Sequence, residues 1–188
     1  MNEHFYAVIM AGGGGTRLWP LSRQNRPKQM LRLVSNRSLF QMATDRLEGL
    51  FPADHIYVVT VADQATELQK QSPNIPAENY ILEPMPRGTA SVVGLAAVVL
   101  QKRDPQAVMA VLTADHFIEN VAGFQQILIS ADQLAQRGYL VTLGIQPSFP
   151  STGYGYIQRG ERLGDSGQQE AFRVVKFNEK PNEEHARE

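Results

Sequence analysis

Cysteine is absent from all 188 residues, which excludes disulfides, zinc–thiolate and iron–sulfur sites, and a thiol nucleophile. An excess of either charge is also missing: the formal net charge is -1, so the chain lacks the dense basic face with which proteins displace counterions from nucleic acid. We therefore expect no nucleic-acid partner, and any anionic ligand has to be held locally.

Long hydrophobic runs are missing as well. The longest apolar block, "VVGLAAVVL" at 92–100, is about half of what a bilayer span requires. The N-terminus carries no basic segment ahead of its short apolar run, as a secretory signal would. We expect no membrane partner and a cytoplasmic location.

Short apolar runs alternate with longer segments of helical periodicity. The runs are typical of strands buried on both faces of a parallel sheet and cover residues 5–11, 56–61, 80–82, 107–114 and 139–145. Predicted helices cover 39–50, 63–71, 89–103 and 121–137. A capping box, Ser38 with Gln41, opens the first of them. The alternation predicts an α/β fold with a doubly wound, mostly parallel sheet, whose ligands lie beyond the carboxyl ends of the strands.

The composition of the chain changes after Pro147, where glycine, proline and aromatic residues become frequent. The polar spacer "GDSGQQE" at 164–170 predicts a turn between two strands, the second of which runs through "AFRVVKFNEKP". No strong boundary interrupts residues 1–188, so we expect a single domain.

A glycine-rich loop follows the first predicted strand in "AVIMAGGGGTRLWPLSRQNRPKQ", residues 7–29. It matches neither the P-loop nor the dinucleotide-binding pattern. Without Cβ atoms, backbone N–H groups could approach phosphate oxygens closely. Arg17 would offer phosphate a planar fork, and Lys28, held behind Pro27, a point charge. The alternative interpretation is a mobile surface loop.

An aspartate follows the fourth predicted strand in "AVLTADHFI". The Asp115 carboxylate would lie at the ligand edge of the sheet, where it could hold Mg²⁺ that bridges nucleotide phosphates. An aspartate in this position also suits an Asx turn or a helix N-cap, so the pattern alone leaves both interpretations open.

The segment "MAGGGGTRLWPLSRQNRPKQ" resembles the signature of the sugar-phosphate nucleotidyltransferases, G-G-x-G-T-R-L followed by P-K. "WPLSR" and Gln29 resemble the mannose-1-phosphate guanylyltransferase branch. The resemblance continues in family order through "EPMPRGTA" (83–90), "TADHFI" (113–118), "STGYGYI" (151–157) and "FNEKP" (177–181). It implies a Rossmann-like fold of the nucleotide-diphospho-sugar transferase type, with helices on both faces of a mixed, mostly parallel sheet.

The same resemblance implies roles for individual residues. Arg17, Lys28 and Asp115 would be catalytic, with Asp115 also holding Mg²⁺. Residues that would bind the nucleotide are Ala11, Gly12, Gly13, Gly14, Gly15, Thr16, Glu83 and Gly88, the last two beside the base. Residues that would bind the sugar phosphate are Gly155, Glu179 and Lys180. Gly88 departs from the branch, which usually reads R-N-T-A where this chain has R-G-T-A.

The resemblance implies transfer of a guanylyl group from GTP to mannose 1-phosphate, which yields GDP-mannose and pyrophosphate without a covalent enzyme intermediate. Two alternatives stay open. The same chemistry could use another nucleotide or sugar 1-phosphate, which the departure at Gly88 keeps open, or the chain could be a non-catalytic nucleotide-sensing or subunit-interaction module.

Members of this branch are longer, and a second metal-binding aspartate normally follows their Glu-Lys-Pro motif. We therefore expect an N-terminal catalytic portion of a longer enzyme, with exposed strand edges or apolar patches that favour a homo-oligomer.

Overall fold

The computed structural model describes residues 2–13, 18–23, 26–167 and 169–187. Contacts between residues divide the chain into two compact units, Met1–Gln125 and Gln126–Glu188. The expectation of a single domain stays a prediction.

A four-stranded parallel sheet forms the centre of the first unit. Its strands stand in the order β3-β2-β1-β4 and are β1 Phe5–Met10, β2 Ile56–Val61, β3 Tyr80–Glu83 and β4 Val108–Thr113. Ala7 of the central strand β1 pairs with Ile56 on one side and Ala110 on the other. Four of the five predicted strands are therefore confirmed.

Helices connect these strands, as the periodicity predicts. They are α1 Leu39–Asp45, α2 Ala62–Gln71, α3 Thr89–Arg103 and α4 Val121–Ala135. The capping box is confirmed, because the Gln41 backbone N–H donates to Ser38 Oγ at 3.1 Å and the Ser38 N–H donates to Gln41 Oε1 at 3.0 Å. No helix in the described ranges combines the length and apolar character that a membrane span requires.

The inner strands β1 and β2 are buried on both faces of the sheet. On one face Val8 and Val59 pack with Ala96 and Leu100 of α3 in a single apolar cluster. Because successive side chains of a strand point to opposite faces, Phe5 belongs to the other face, where its ring lies 4.7 Å from that of Phe51. This arrangement explains why the strand sequences are apolar without alternation.

The order of the strands reverses at β1. The chain proceeds from β1 through β2 to β3 on one side and then crosses over to place β4 on the other side of β1. In sheets of this kind the loops that follow two such strands leave the carboxyl edge in different directions, and ligands bind in the crevice between them. The glycine-rich loop follows β1, and Asp115 follows β4.

A long antiparallel hairpin is the main element of the second unit. Strand β5, Gly155–Ser166, pairs with β6, Gln169–Glu179, and the short helix α5, Glu183–Arg187, follows. The hairpin confirms the turn predicted from the polar spacer.

The predicted strand at 139–145 is wrong. The segment adopts no regular structure, and Leu140 and Ile145 are almost fully exposed. A strand requires a partner for its backbone hydrogen bonds, and none of the described residues pairs with this segment. An apolar run does not by itself supply this partner.

Candidate functional site

The start of the glycine-rich loop is anchored by side chains from elsewhere in the first unit. The Ala11 carbonyl is buried and accepts hydrogen bonds from Gln29 Nε2 at 2.9 Å and Thr60 Oγ1 at 3.1 Å. Gln29 Nε2 also donates to Gln64 Oε1 at 2.7 Å. This network ties the loop to α2 and to the segment that carries Lys28.

Beyond Ala11 the backbone turns sharply. Gly13 has φ +106°, a value that side chains with a Cβ disfavour, and its carbonyl lies 3.4 Å from Gln64 Nε2. Gly12 is exposed, and a Cβ at this position would lie 3.1 Å from Glu83 Oε2. The predicted ligands Gly14, Gly15, Thr16 and Arg17 lie outside the described residues.

Lys28 and Asp115 form an ion pair across the crevice edge. Lys28 begins a short 3₁₀ helix, Lys28–Met30, directly after the buried Pro27, and its Nζ donates to Asp115 Oδ2. Their side chains are 29% and 28% exposed, so water only partly screens the pair. Two residues that the sequence separates by 87 positions thus meet beyond the paired ends of β1 and β4.

The electrostatics of Asp115 follow from this contact. Burial raises the pKa of the Asp115 carboxyl, but the hydrogen bond and positive charge of Lys28, together with smaller effects of His116 and Thr113, outweigh burial and hold the pKa below its ordinary value. Asp115 is therefore ionised at neutral pH and able to receive a cation.

A magnesium ion would find few protein ligands here. No group of three or more His, Asp or Glu side chains suited to a metal occurs in the described ranges. Mg²⁺, however, commonly takes only one or two carboxylates and fills its octahedral shell with water and phosphate oxygens. The Asp115 carboxylate, which already holds an ammonium group, fits an ion that is shared with nucleotide phosphates.

A cavity of about 600 Å³ opens next to the glycine turn. It is lined by Gly13, by Gln64 at the start of α2, and by the segment from Leu82 to Pro86, which comprises the end of β3 and the residues after it. Its volume is within the range of small-molecule sites. The Glu83 carboxyl is part of this wall and is 7% exposed, and burial raises its pKa. The predicted base-pocket residue Glu83 thus lies beside the glycine loop.

Gly88, the other predicted base-pocket residue, is at the N-terminal boundary of α3 and does not line this cavity. Its φ of +87° and ψ of 173° belong to a backbone region that is essentially restricted to glycine. The backbone here therefore favours glycine over the asparagine of the guanylyltransferase pattern.

The predicted sugar-phosphate residues meet in the second unit. Gly155 pairs with Glu179 across the hairpin, and a Cβ on Gly155 would lie 2.8 Å from Glu179 Oε2. Lys180 Nζ is 3.5 Å from Glu179 Oε1, and the Lys180 backbone N–H donates to the Tyr154 carbonyl at 3.1 Å. Lys180 has φ +46°, which is uncommon for a residue other than glycine.

Sequence-based prediction missed two residues that support the site. Gln64 connects the glycine loop to Gln29, and Arg46 donates to the loop that carries Asp115. The signal for Arg46 is an arginine within the largely apolar segment "LFQMATDRLEGL", which an exposed helix face explains equally well.

Comparisons with known proteins agree with this arrangement. The profile of the Nucleotidyl transferase family matches residues 6–188. The chain is 44% identical over 185 residues to a mannose-1-phosphate guanylyltransferase of Klebsiella pneumoniae, a match that covers 95% of this chain and 38% of the relative. It is 41% identical over 189 residues to a mannose-1-phosphate guanylyltransferase of Escherichia coli K12, with 96% and 38% covered.

A solved structure, described as a mannose-1-phosphate geranyltransferase from Thermus thermophilus, superposes with a TM-score of 0.83 at 34% identity. The match covers 97% of this chain and 52% of the solved one. The chain spans about 38% of the length of the two curated relatives. Since the family profile matches nearly all of its residues, the chain belongs to the Nucleotidyl transferase family.

Proposed function

We propose that the protein transfers a guanylyl group from GTP to mannose 1-phosphate, which yields GDP-mannose and pyrophosphate. The observation that carries the proposal is the Lys28–Asp115 pair, an ammonium group and an ionised carboxylate that lie together beyond the carboxyl ends of β1 and β4 and that suit phosphate and a metal ion. The guanylyltransferases to which the chain is similar support the choice of substrates.

The reaction is a single in-line displacement. An oxygen of the sugar phosphate attacks the α-phosphorus of the nucleotide, and the bond between this phosphorus and the bridging oxygen of pyrophosphate breaks. Catalysis then depends on positioning and on charge stabilisation. Lys28 and Arg17 would offset the charge of the leaving pyrophosphate, and the glycine backbone would hold the triphosphate.

Asp115 would hold Mg²⁺, which supplies neutralisation of phosphate charge when bound. Lys28 donates to one oxygen of the same carboxylate, so its ammonium group would offset phosphate charge close to the ion.

Glu83 favours guanine. A carboxylate is an acceptor, and the N1–H and N2–H₂ groups of guanine are adjacent donors. Uracil and thymine place one donor between two carbonyl oxygens, so a carboxylate that faces the N3–H would repel both. Burial raises the pKa of Glu83, but two adjacent donors of guanine would favour its ionised form, as a hydrogen bond to a charged group does.

In the second unit, Lys180 would steer the attacking phosphate, Glu179 would contact sugar hydroxyls, and the absent side chain of Gly155 would leave room for the ring. A cytoplasmic location and self-association into a homo-oligomer stay predictions from the sequence.

Titration calorimetry tests the nucleotide part of the proposal with GTP, ATP, UTP and dTTP in the presence of Mg²⁺. We expect GTP to bind most tightly, and Lys28→Met to weaken its binding by about 10-fold or more. Lys102→Met is the matched control. Lys102 is exposed in the last turn of α3, which leads to the amino end of β4 and thus away from the carboxyl ends of the strands.

The outcomes separate the alternatives. Preference for another nucleotide would retain the reaction class and discard guanine. GTP binding that is equally tight without metal and in Asp115→Asn would favour a nucleotide sensor. No binding of any of the four nucleotides would contradict the proposal for this chain.

A further inference from the structure

Arg46 holds both sides of the loop that carries Asp115. It directly follows α1, and its guanidinium donates from Nη1 to the His116 carbonyl at 2.8 Å and from Nη2 to the Thr113 carbonyl at 3.2 Å. Asp115 lies between these two carbonyls in the sequence. One planar group thus restrains the backbone immediately before and after the carboxylate.

The Arg46 guanidinium is a buried charge that has no direct ion pair among the described residues. Arg46 is 5% exposed, and no carboxylate in the part of the chain that the structure describes lies within 4.0 Å of its guanidinium. The Phe124 ring covers the guanidinium at 5.6 Å, and burial lowers the pKa of Arg46. Leucine or methionine would fill such a position at lower cost in desolvation, so packing alone does not explain an arginine.

Packing does not hold the loop rigidly either. A cavity of about 230 Å³ borders Arg46 and His116 and continues along Ile118 and Val121. The next side chain of the loop, Phe117, is 57% exposed. Side chains with a cavity beside them have few contacts that oppose a shift, so the hydrogen bonds from Arg46 carry the restraint.

The arginine is itself anchored. Gln125 Nε2 donates to the Arg46 carbonyl at 2.9 Å and to the Glu48 carbonyl at 3.0 Å. A series of hydrogen bonds therefore leads from Gln125 through Arg46 to the Asp115 loop, and all of it lies within the first unit.

We propose that Arg46 is a positioning residue: its fork on the Thr113 and His116 carbonyls sets the Asp115 carboxylate where it meets Lys28 and, in the working enzyme, the metal-bound nucleotide. The second half of this statement rests on the proposed function. The first half concerns the protein without ligand and is tested separately.

The ligand-free test follows the Lys28 ammonium group by ¹H–¹⁵N NMR, because an ammonium that donates to a carboxylate exchanges its protons with water more slowly than a free one. In Arg46→Met we expect this exchange to accelerate by about 10-fold, since the Asp115 carboxylate loses its position. The Ala114 amide, which donates to the Met10 carbonyl, should also exchange faster, whereas the Ala11 amide, bonded to the Val59 carbonyl, should not change.

Arg46→Lys retains the charge but not the fork, and we expect it to resemble Arg46→Met rather than the wild type. Arg103→Met is the matched control, since Arg103 donates to Tyr57 Oη at 2.7 Å and its guanidinium lies 5.7 Å from the Tyr57 ring. Gln125→Ala provides a milder perturbation that leaves Arg46 in place, should the Arg46 variants fail to fold, and should change the same signals in the same direction.

The ligand-bound test compares GTP affinity with and without Mn²⁺. We expect the gain in affinity from Mn²⁺ to fall by about 10-fold in Arg46→Lys, with metal-free GTP binding unchanged. Unaltered Lys28 ammonium exchange in the Arg46 variants would overturn the proposal. Accelerated exchange with an unchanged Mn²⁺ effect would reduce Arg46 to a structural contact. A wild-type chain that binds no GTP would instead contradict the proposed function, and the ammonium signal would still decide the role of Arg46.

Discussion

The Lys28–Asp115 pair provides a quantitative test of the site without any ligand. We consider Lys28→Met, Asp115→Asn and the double variant. Two unit charges about 4 Å apart attract by about 4 kcal/mol at an effective dielectric constant of about 20, and desolvation of both groups opposes most of this. Exposed pairs couple by about 0.2–1 kcal/mol. Since both side chains are less than one-third exposed, we expect a coupling free energy near the upper end, about 1 kcal/mol.

Urea denaturation of the four proteins at neutral pH gives this coupling as the non-additive part of the stability changes. The pH dependence has a definite sign. Because the folded-state pKa of Asp115 is depressed, the contribution of the pair is present above the ordinary value of 3.8 and is lost as the pH falls through the folded value.

NMR titration of the Asp115 carboxyl supplies the sharper result. In Lys28→Met the burial remains and the ammonium, the largest of the influences that lower the pKa, is gone, so we expect the pKa of Asp115 to rise. A pKa of Asp115 that does not change in Lys28→Met, together with a coupling below about 0.2 kcal/mol, would refute the pairing of these two residues.

Two further predictions concern the fold around the site. Gly88→Asn should lower the free energy of unfolding by about 1–3 kcal/mol, because φ +87° and ψ 173° suit only glycine. Its control is Gly94→Ala within α3, where a Cβ meets nothing within 4 Å and should stabilise by up to about 1 kcal/mol. Equal changes in the free energy of unfolding for the two variants, measured by urea denaturation, would contradict the backbone conformation at Gly88. Burial raises the pKa of Tyr80 to about 12, so stability should fall as the pH rises from 10 towards 12, by about 2–3 kcal/mol in total. Tyr80→Phe should remove this loss of stability. If Tyr80→Phe loses stability at alkaline pH as the wild type does, another group is responsible.

The regular elements follow closely from local sequence. Helix α3 spans the predicted residues 89–103, and α1 begins at its capping box. Both predictions are correct because helix caps and hydrophobic periodicity depend on residues that lie close together in the chain. The segment 139–145 fails for the complementary reason, since a strand needs a partner that its own residues do not specify.

The candidate site likewise combines features that local sequence predicts with contacts that only the fold creates. Local sequence determined that a glycine-rich turn follows one buried strand and that an aspartate follows another, because turn chemistry and strand burial are properties of short segments. Only the tertiary structure decided that Lys28 meets Asp115, that Gln64 anchors the glycine loop, and that Arg46 holds the loop of Asp115. These contacts join residues far apart in the chain. The contacts of Asp115 and its loop form because the reversal of strand order places β4 beside β1, whereas Gln64 reaches the glycine loop because β2 lies on the other side of β1.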